Sequence, residues 1–307
     1  MNLRDDTRPR SKVGLVDDAT TTIAVTGATG RLGGRVARRL AVAGIPQRLL
    51  VRDPTRAPDL PAAEVMVAPY RDGGGVRRAL EGIETVFMVS ASESPDRVRE
   101  HATFIDAAVA AGVSRLVYVS FLGAGTESTF TLARDHWATE QHIRGSGLRY
   151  TILRSNLFAD FFPRMVGEDG VIRGPAGEGR VSAVAQDDVA DVAVTVLRQP
   201  GRHDKVSYDL TGPEAVTLHE VAEVLSTYFG REIRYHPETV MEAYESRAHY
   251  GAPDWQVDAW VSTYSAIERG ELAKVSDAVE RLTGHPPLSL AQVFATPPAT
   301  DQVSINQ

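Results

Sequence analysis

Thr21-Thr22-Ile23-Ala24-Val25-Thr26-Gly27-Ala28-Thr29-Gly30-Arg31-Leu32-Gly33-Gly34 is the stretch on which the fold of this chain turns. Its first part is a short β-branched run ending at Gly27, which suits a buried strand. From Arg31 onward Leu32, Val36 and Leu40 recur at helical spacing, with Arg35, Arg38 and Arg39 on the other side, and Gly44 closes the helix. Gly27, Gly30 and Gly33 therefore stand between a strand and the helix it feeds. There the missing side chains let a pyrophosphate approach the backbone at a helix N-terminus. The spacing is G-x-x-G-x-x-G, not G-x-G-x-x-G.

The same alternation runs on through RLLV at 48–51, EVMVA at 64–68, a short helix around VRRALEG, and TVFMVS at 85–90. It continues with a helix over about 97–111, RLVYVS at 115–120, a helix around 133–145 and YTILR at 150–154. Short continuous apolar runs alternating with helices are the pattern of a parallel sheet buried on both faces, so an α/β doubly wound Rossmann sheet is expected. After Arg154 the rhythm breaks. SNLFADFFPRMVGEDGVIRGPAGEGR is too irregular and Gly-rich for another βα unit, whereas DDVADVAVTVLRQ and KVSYDLTG read as a helix and a strand that return to the sheet. The expected organisation is a flexible tail at 1–20 and a dinucleotide-binding domain at 21–155 rejoined by about 181–211. A smaller, mostly helical C-terminal substrate cap would come from 156–180 and 212–296, with a second tail at 297–307.

Composition narrows the function. Forty acidic residues against 33 basic ones leave a net charge of -7, which disfavours nucleic acid as a partner. With 43% hydrophobic residues the chain can build a sizeable core, and with no cysteine it has no thiol nucleophile, disulfide or Cys-ligated metal. No apolar run approaches a membrane span, and the opening MNLRDDTRPRSKVGLVDD carries charge where a signal peptide needs an apolar stretch. A soluble, cytoplasmic protein without membrane insertion is expected. Asp187, Asp188 and Asp191 are read as capping a helix N-terminus and not as a metal cluster. His219-Glu220 lacks the second His of a zinc-protease motif, and no metal is expected.

TGATGRLGG, LLVRDPTRA, VFMVSASE, VYVSFLGA, GLRYTILRSNLF, DDVADVA and YDLTGPEAVTL, in this order and spacing, resemble the atypical short-chain dehydrogenase/reductases of the NmrA-like branch. Within that branch the chain is similar to the bacterial type-2 NAD(P)H:quinone oxidoreductases and the triphenylmethane reductases. The resemblance runs from Thr21 to about Phe294. NADP(H) is the expected cofactor on charge grounds as well, because a 2′-phosphate needs guanidinium or ammonium groups where an NAD ribose would take a carboxylate. Arg52 stands nineteen residues after Gly33, Arg56 a turn further on, and Arg31 in the glycine loop with Thr29 and Leu32. Asp53 leaves an NAD ribose open as the alternative. The resemblance places the 2′-phosphate on Arg52, and puts Pro69 and Tyr70 where relatives carry an acidic residue near the adenine. Ser90, Ala91 and Ser92 lie just past the fourth strand, where a dinucleotide crosses the sheet. Asn156, Leu157 and Phe158 match positions that border the nicotinamide in relatives, and Phe158, Phe161 and Phe162 either line an aromatic acceptor pocket or belong to the core.

The Tyr-x-x-x-Lys pair of ordinary short-chain dehydrogenases is missing: the helix after the fifth strand reads LARDHWATEQHIRGSG. His136 falls near a functional Lys of related reductases and sensors, and is a candidate proton donor or ribose contact; alternatively it is a surface His paired with Glu140. Ser120 matches the superfamily Ser at the end of the fifth strand, or simply ends the strand. The resemblance implies NADPH-dependent hydride transfer to a quinone-like or other conjugated aromatic acceptor, a reaction that tolerates a weak proton donor. Two alternatives stay open: an NADP(H)-binding redox sensor acting through a protein partner, and a tailoring reductase or isomerase. A homodimer is possible in each case.

Overall fold

The computed structural model describes residues 23–295; the expected tails at 1–20 and 297–307 lie outside the described residues. Strand β1 (Ile23–Thr26) feeds helix α1 (Arg31–Val42), followed by β2 (Gln47–Val51) and β3 (Ala63–Val67). Helix α2 (Gly73–Ala79) leads to β4 (Thr85–Met88), α3 (Arg97–Ala110) to β5 (Arg115–Phe121), and α4 (Thr131–Gly145) to β6 (Arg149–Ser155). The chain then leaves the sheet through a 3-10 turn at Ala159–Met165 and the short strands β7 (Val171–Gly174) and β8 (Arg180–Val181). It returns with α5 (Gln186–Arg198) and β9 (Val206–Leu210). Strand β10 (Val216–Thr217), α6 (Leu218–Phe229), β11 (Arg234–Pro237), α7 (Val240–Arg247), α8 (Asp254–Glu268), α9 (Ala278–Thr283) and α10 (Leu290–Val293) complete the described chain.

The central sheet has the order β3-β2-β1-β4-β5-β6-β9, and every neighbouring pair is parallel. Alternate residues of each strand enter different cores, as a pleat buried on both sides requires. Val25, Leu49, Phe87, Val117 and Leu153 pack with Val36 and Leu40 of α1 and Val189, Val192 and Val196 of α5. Ala24, Leu50, Val86, Leu116 and Tyr118 pack on the opposite side with Val76, Phe104, Ile105 and Ile143 of α2, α3 and α4. This is the doubly wound arrangement. The order in which strands are added reverses between β1 and β4, while the strands stay parallel, so a crevice opens beyond their carboxyl ends.

A third core joins Phe121, Phe130 and Phe162 to Ile172, Val181, Leu218, Val221, Leu225, Tyr264 and Ile267. It roofs the side of the sheet near β5 and β6. Two small sheets stiffen this part, β11 on β7 in parallel and β8 on β10 antiparallel; neither shows in the hydrophobic rhythm, because each strand has only two to four residues. Helix α9 lies elsewhere than the expected cap. Its Ala278 and Val279 are buried in the first core, packed with the valines of α5, because the chain doubles back over that helix layer. Helix α2 begins at Gly73, ahead of the apolar run that suggested it, because the Asp72 carboxylate accepts from the Gly75 amide at 2.9 Å and caps the turn.

Candidate functional site

The crevice at the β1/β4 reversal is a cleft of about 580 Å³, lined by the loops after β1, β2, β3 and β4. The glycine turn forms its floor. Gly27 has φ +63°, and Gly30 donates to the Gly27 carbonyl at 2.8 Å. A Cβ at Gly33 would collide with the Gly27 carbonyl and stand 2.6 Å from the Thr26 oxygen, so only glycine lets α1 start this close to β1. Gly30 is the N-cap of α1 and its side has no capping side chain. Among the described residues the amides of Arg31, Leu32 and Gly33 have no hydrogen-bond partner. An uncapped helix N-terminus on a glycine shelf fits a diphosphate, which would supply the missing acceptors.

The loops above the floor place the other expected contacts. Thr29, Arg31, Leu32, Arg52, Tyr70, Ser90, Ala91 and Ser92 all line the cleft. Arg52 is exposed there, directly after β2. Asp53 is turned back on its own loop: its carboxylate accepts from the Thr55 amide at 3.0 Å and the Thr55 hydroxyl at 2.7 Å, which together hold it below the usual carboxylate range. Arg56 does not line the cleft with Arg52 and Arg31; it ends the 3-10 turn Pro54–Arg56. The Tyr70 hydroxyl donates to the Val89 carbonyl at 2.6 Å and lies 2.6 Å from Thr26 Oγ1, which itself accepts from the Val89 amide at 2.9 Å. The hydroxyl is thus taken up in tying the ends of β1, β3 and β4 together, and only the ring is left for a ligand.

A second cleft of about 340 Å³ continues from the first across Arg31, Leu32, Val89 and Ser90. Its walls are Ser120 and Phe121 at the end of β5, His136 on α4, Ser155, Asn156, Leu157 and Phe158 after β6, Phe161 and Arg164 on the 3-10 turn, and Gln186. Phe162 is not among them; it is buried in the third core.

His136 is buried, not a surface residue paired with Glu140. Arg97 Nη2 lies 3.0 Å from His136 Nε2, and Tyr118 OH 2.8 Å from His136 Nδ1. A guanidinium can only donate, so Nε2 accepts and the one ring proton sits on Nδ1, directed at Tyr118. Burial first, then the charge of Arg97, holds the imidazole well below its ordinary pKa. The expected proton donor is therefore corrected: the ring is neutral and no N–H faces the cleft. His101 behind it accepts from the Ala91 amide at Nε2 (2.8 Å), and its Nδ1 lies 2.8 Å from Thr139 Oγ1, so it links the Ser90–Ser92 loop to α4.

Ser120 Oγ donates to Glu140 Oε1 at 2.6 Å, and the buried Glu140 also receives Arg154 at 2.6 and 2.8 Å and Arg144 at 2.9 Å. The Ser120 proton is thus held by a carboxylate already paired with two guanidiniums. Asn156 donates to the Ser182 carbonyl, the Ser182 hydroxyl and the Leu272 carbonyl, while its Oδ1 accepts from the Leu157 amide. Its side chain fastens the roof to β6. The carboxylates of Asp187 and Asp191 pair with Arg35 and Arg39 of α1 at 2.7 to 3.1 Å, and Asp188 accepts from the Leu288 amide. The amide at the start of α5 is capped instead by Asp160, which accepts from Gln186 at 2.9 Å. No group of residues able to hold a metal occurs among the described residues.

Glycine shelf, uncapped helix and reversed sheet define a dinucleotide-binding Rossmann protein with an attached second cleft. Residues 27–200 match the NAD(P)H-binding family, and the chain belongs to that family. It is 34% identical over 275 residues to the NAD(P)H azoreductase of Xenophilus azovorans, covering 88% of this chain and 96% of that one. The structure of the NADPH-dependent quinone oxidoreductase QOR2 of Escherichia coli with NADPH is similar at a TM-score of 0.80 and 32% identity, over 89% of this chain and 98% of that one. The triphenylmethane reductase of Citrobacter sp. with NADP(H) is similar at 0.77 and 32%, with the same coverage. NAD(P)H is the cofactor of this chain.

Proposed function

We propose that the chain is an NADPH-dependent oxidoreductase that reduces a quinone-like or other conjugated aromatic acceptor. The observation that carries this reading is the joined pair of clefts, one floored by an uncapped helix and carrying Arg52, the other walled by Phe121, Leu157, Phe158 and Phe161 with no Tyr, Lys, Asp or Glu in its lining. Arg31, Leu32 and Gly33 would offer amides to the diphosphate, and Arg52 and Arg31 would hold the 2′-phosphate. Thr29, Gly27, Gly30, Tyr70 and the Ser90–Ser92 loop would shape the adenosine side, with Asn156 and Phe158 beside the nicotinamide. When bound, NADPH supplies a hydride. The chain's own part is positioning and water exclusion: the Arg97–His136–Tyr118 network fixes the wall of α4, and the Ser120–Glu140–Arg154 network fixes the ends of β5 and β6. Neither network presents a mobile proton, so the proton that completes reduction comes from water. This suits acceptors whose reduced oxyanion is stable, and does not suit an isolated ketone.

The test is NADPH oxidation by purified protein with 1,4-naphthoquinone, an azo dye and a triphenylmethane dye in turn, beside calorimetric titration with NADPH and NADP. Turnover with at least one acceptor is expected. Tight NADPH binding without turnover on any of the three would overturn the enzyme reading and favour a redox sensor. For such a sensor NADPH and NADP must bind with different affinities in the presence of its partner.

A further inference from the structure

The turn at Ala159–Met165 has a three-residue pitch, so positions three apart lie above one another. Phe158, Phe161 and Arg164 are spaced in this way, and these three line the second cleft, while Ala159 and Phe162 of the same segment are about 1% exposed and anchored in the third core. The outward row is thus aromatic, aromatic, cation. It starts at Phe158, which bridges to Val184 near the end of β6, and rises roughly 12 Å over two turns at about 2 Å per residue. Phe161 is 48% exposed although it borders a cleft, and the Arg164 guanidinium sits 5.6 Å from its ring centroid. That contact holds the charge at the mouth of the cleft. Arg164 has no carboxylate within ion-pair distance, and no Asp or Glu lines this cleft among the described residues. By contrast the neighbouring Asp160 is fully engaged, by Arg35 at 2.9 Å and the Gln186 amide.

We infer that Phe158, Phe161 and Arg164 form an acceptor subsite selective for flat aromatic acceptors bearing an anionic substituent, a sulfonate or carboxylate, at the end remote from the reacting ring. The inference rests on the oxidoreductase reading and adds the charge class of the acceptor. The two phenyl rings take the flat faces of a bicyclic system, and Arg164 takes the anion in a charge-assisted, partly bidentate contact. A cationic dye of the same size meets an unpaired guanidinium instead and is disfavoured.

Two arms test this. In the first, kcat/KM is measured for 1,4-naphthoquinone and its 2-sulfonate in wild type, Arg164→Gln, Arg164→Lys and Arg164→Glu. The ratio of sulfonated to neutral efficiency is expected to fall about tenfold in Arg164→Gln, mostly through KM, to fall further in Arg164→Glu, and to be largely kept in Arg164→Lys. An unchanged ratio in Arg164→Gln overturns the subsite. In the second, which needs no turnover, NADP-loaded protein is titrated with naphthalene-2-sulfonate. Binding that weakens about tenfold in Arg164→Gln supports the subsite; equal binding in both proteins, or none in wild type, overturns it. Absence of turnover on any acceptor, with sulfonate binding retained and dependent on Arg164, would sink the oxidoreductase reading alone.

Discussion

At the scale of single residues, function rests on a few positions whose neighbours are already committed. Arg52 is free to meet a phosphate because Asp53 is held by Thr55. Arg52→Asp is expected to weaken NADPH by roughly 2 to 4 kcal/mol while NADH changes much less, since a charge-assisted bond is replaced by repulsion. Equal loss for both dinucleotides, measured by calorimetry, would remove Arg52 from the site. Gly30 has an extended backbone open to any residue, but a Cβ there would come 3.2 Å from the Gly27 carbonyl, on the shelf itself. Gly30→Val should therefore keep its circular dichroism and lose at least about tenfold in NADPH affinity. His136 carries the opposite expectation from the one its position in the sequence invites. With its ring neutral and its Nδ1 proton directed at Tyr118, the rate should show no imidazole titration between pH 6 and 8, and a limb near pH 6.5 that vanishes in His136→Gln would contradict the geometry.

At the scale of elements, the glycine helix and the acceptor turn meet at one node. Arg35 of α1 reaches Asp160 of the turn, Gln186 of α5 and Asp187 of α5, and Asp160 caps α5. Asp160→Ala removes a helix cap and an ion pair together, with an expected loss of about 1 to 2 kcal/mol read as a lower urea midpoint, and a raised KM for the acceptor. A variant with unchanged midpoint and KM would show the node to be incidental. Such links mark the boundary of what is legible in the chain. The sheet and the glycine turn can be read locally, because a strand, a turn and a helix announce themselves within about twenty residues. Arg52 and the Ser90–Ser92 loop follow from strand ends. The Arg35–Asp160 pair spans 125 positions and the Asn156–Leu272 bond 116, so no periodicity carries them. The Phe158–Phe161–Arg164 row is hidden for a different reason: its period of three matches neither helix nor strand, and Pro163 interrupts any helical reading.

At the scale of the whole molecule, two buried imidazoles couple folding to pH. Burial and the nearby Arg97 push His101 down to about 3, and His136 is lowered in the same sense. The unfolded chain takes up protons on both near pH 6.5, whereas the folded one does not. Their neutral forms are therefore fully compatible with the fold above about pH 6.5, and stability is lost as pH falls from there toward about 3. The melting temperature is expected to drop between pH 6.5 and 4.5, with a shallower slope in His101→Gln; identical slopes would assign the acid loss to carboxylates. No helix among the described residues is long and apolar enough to cross a membrane. The division of the 3-10 turn into an anchored half, Ala159 and Phe162, and an outward half, Phe161 and Arg164, has a consequence for descent by modification. Mutations in the outward half leave the core intact, so acceptor preference can drift within two codons while the dinucleotide shelf stays fixed. On the proposed reading, substitutions at Phe161 and Arg164 would change which acceptor charge is taken without a loss of fold.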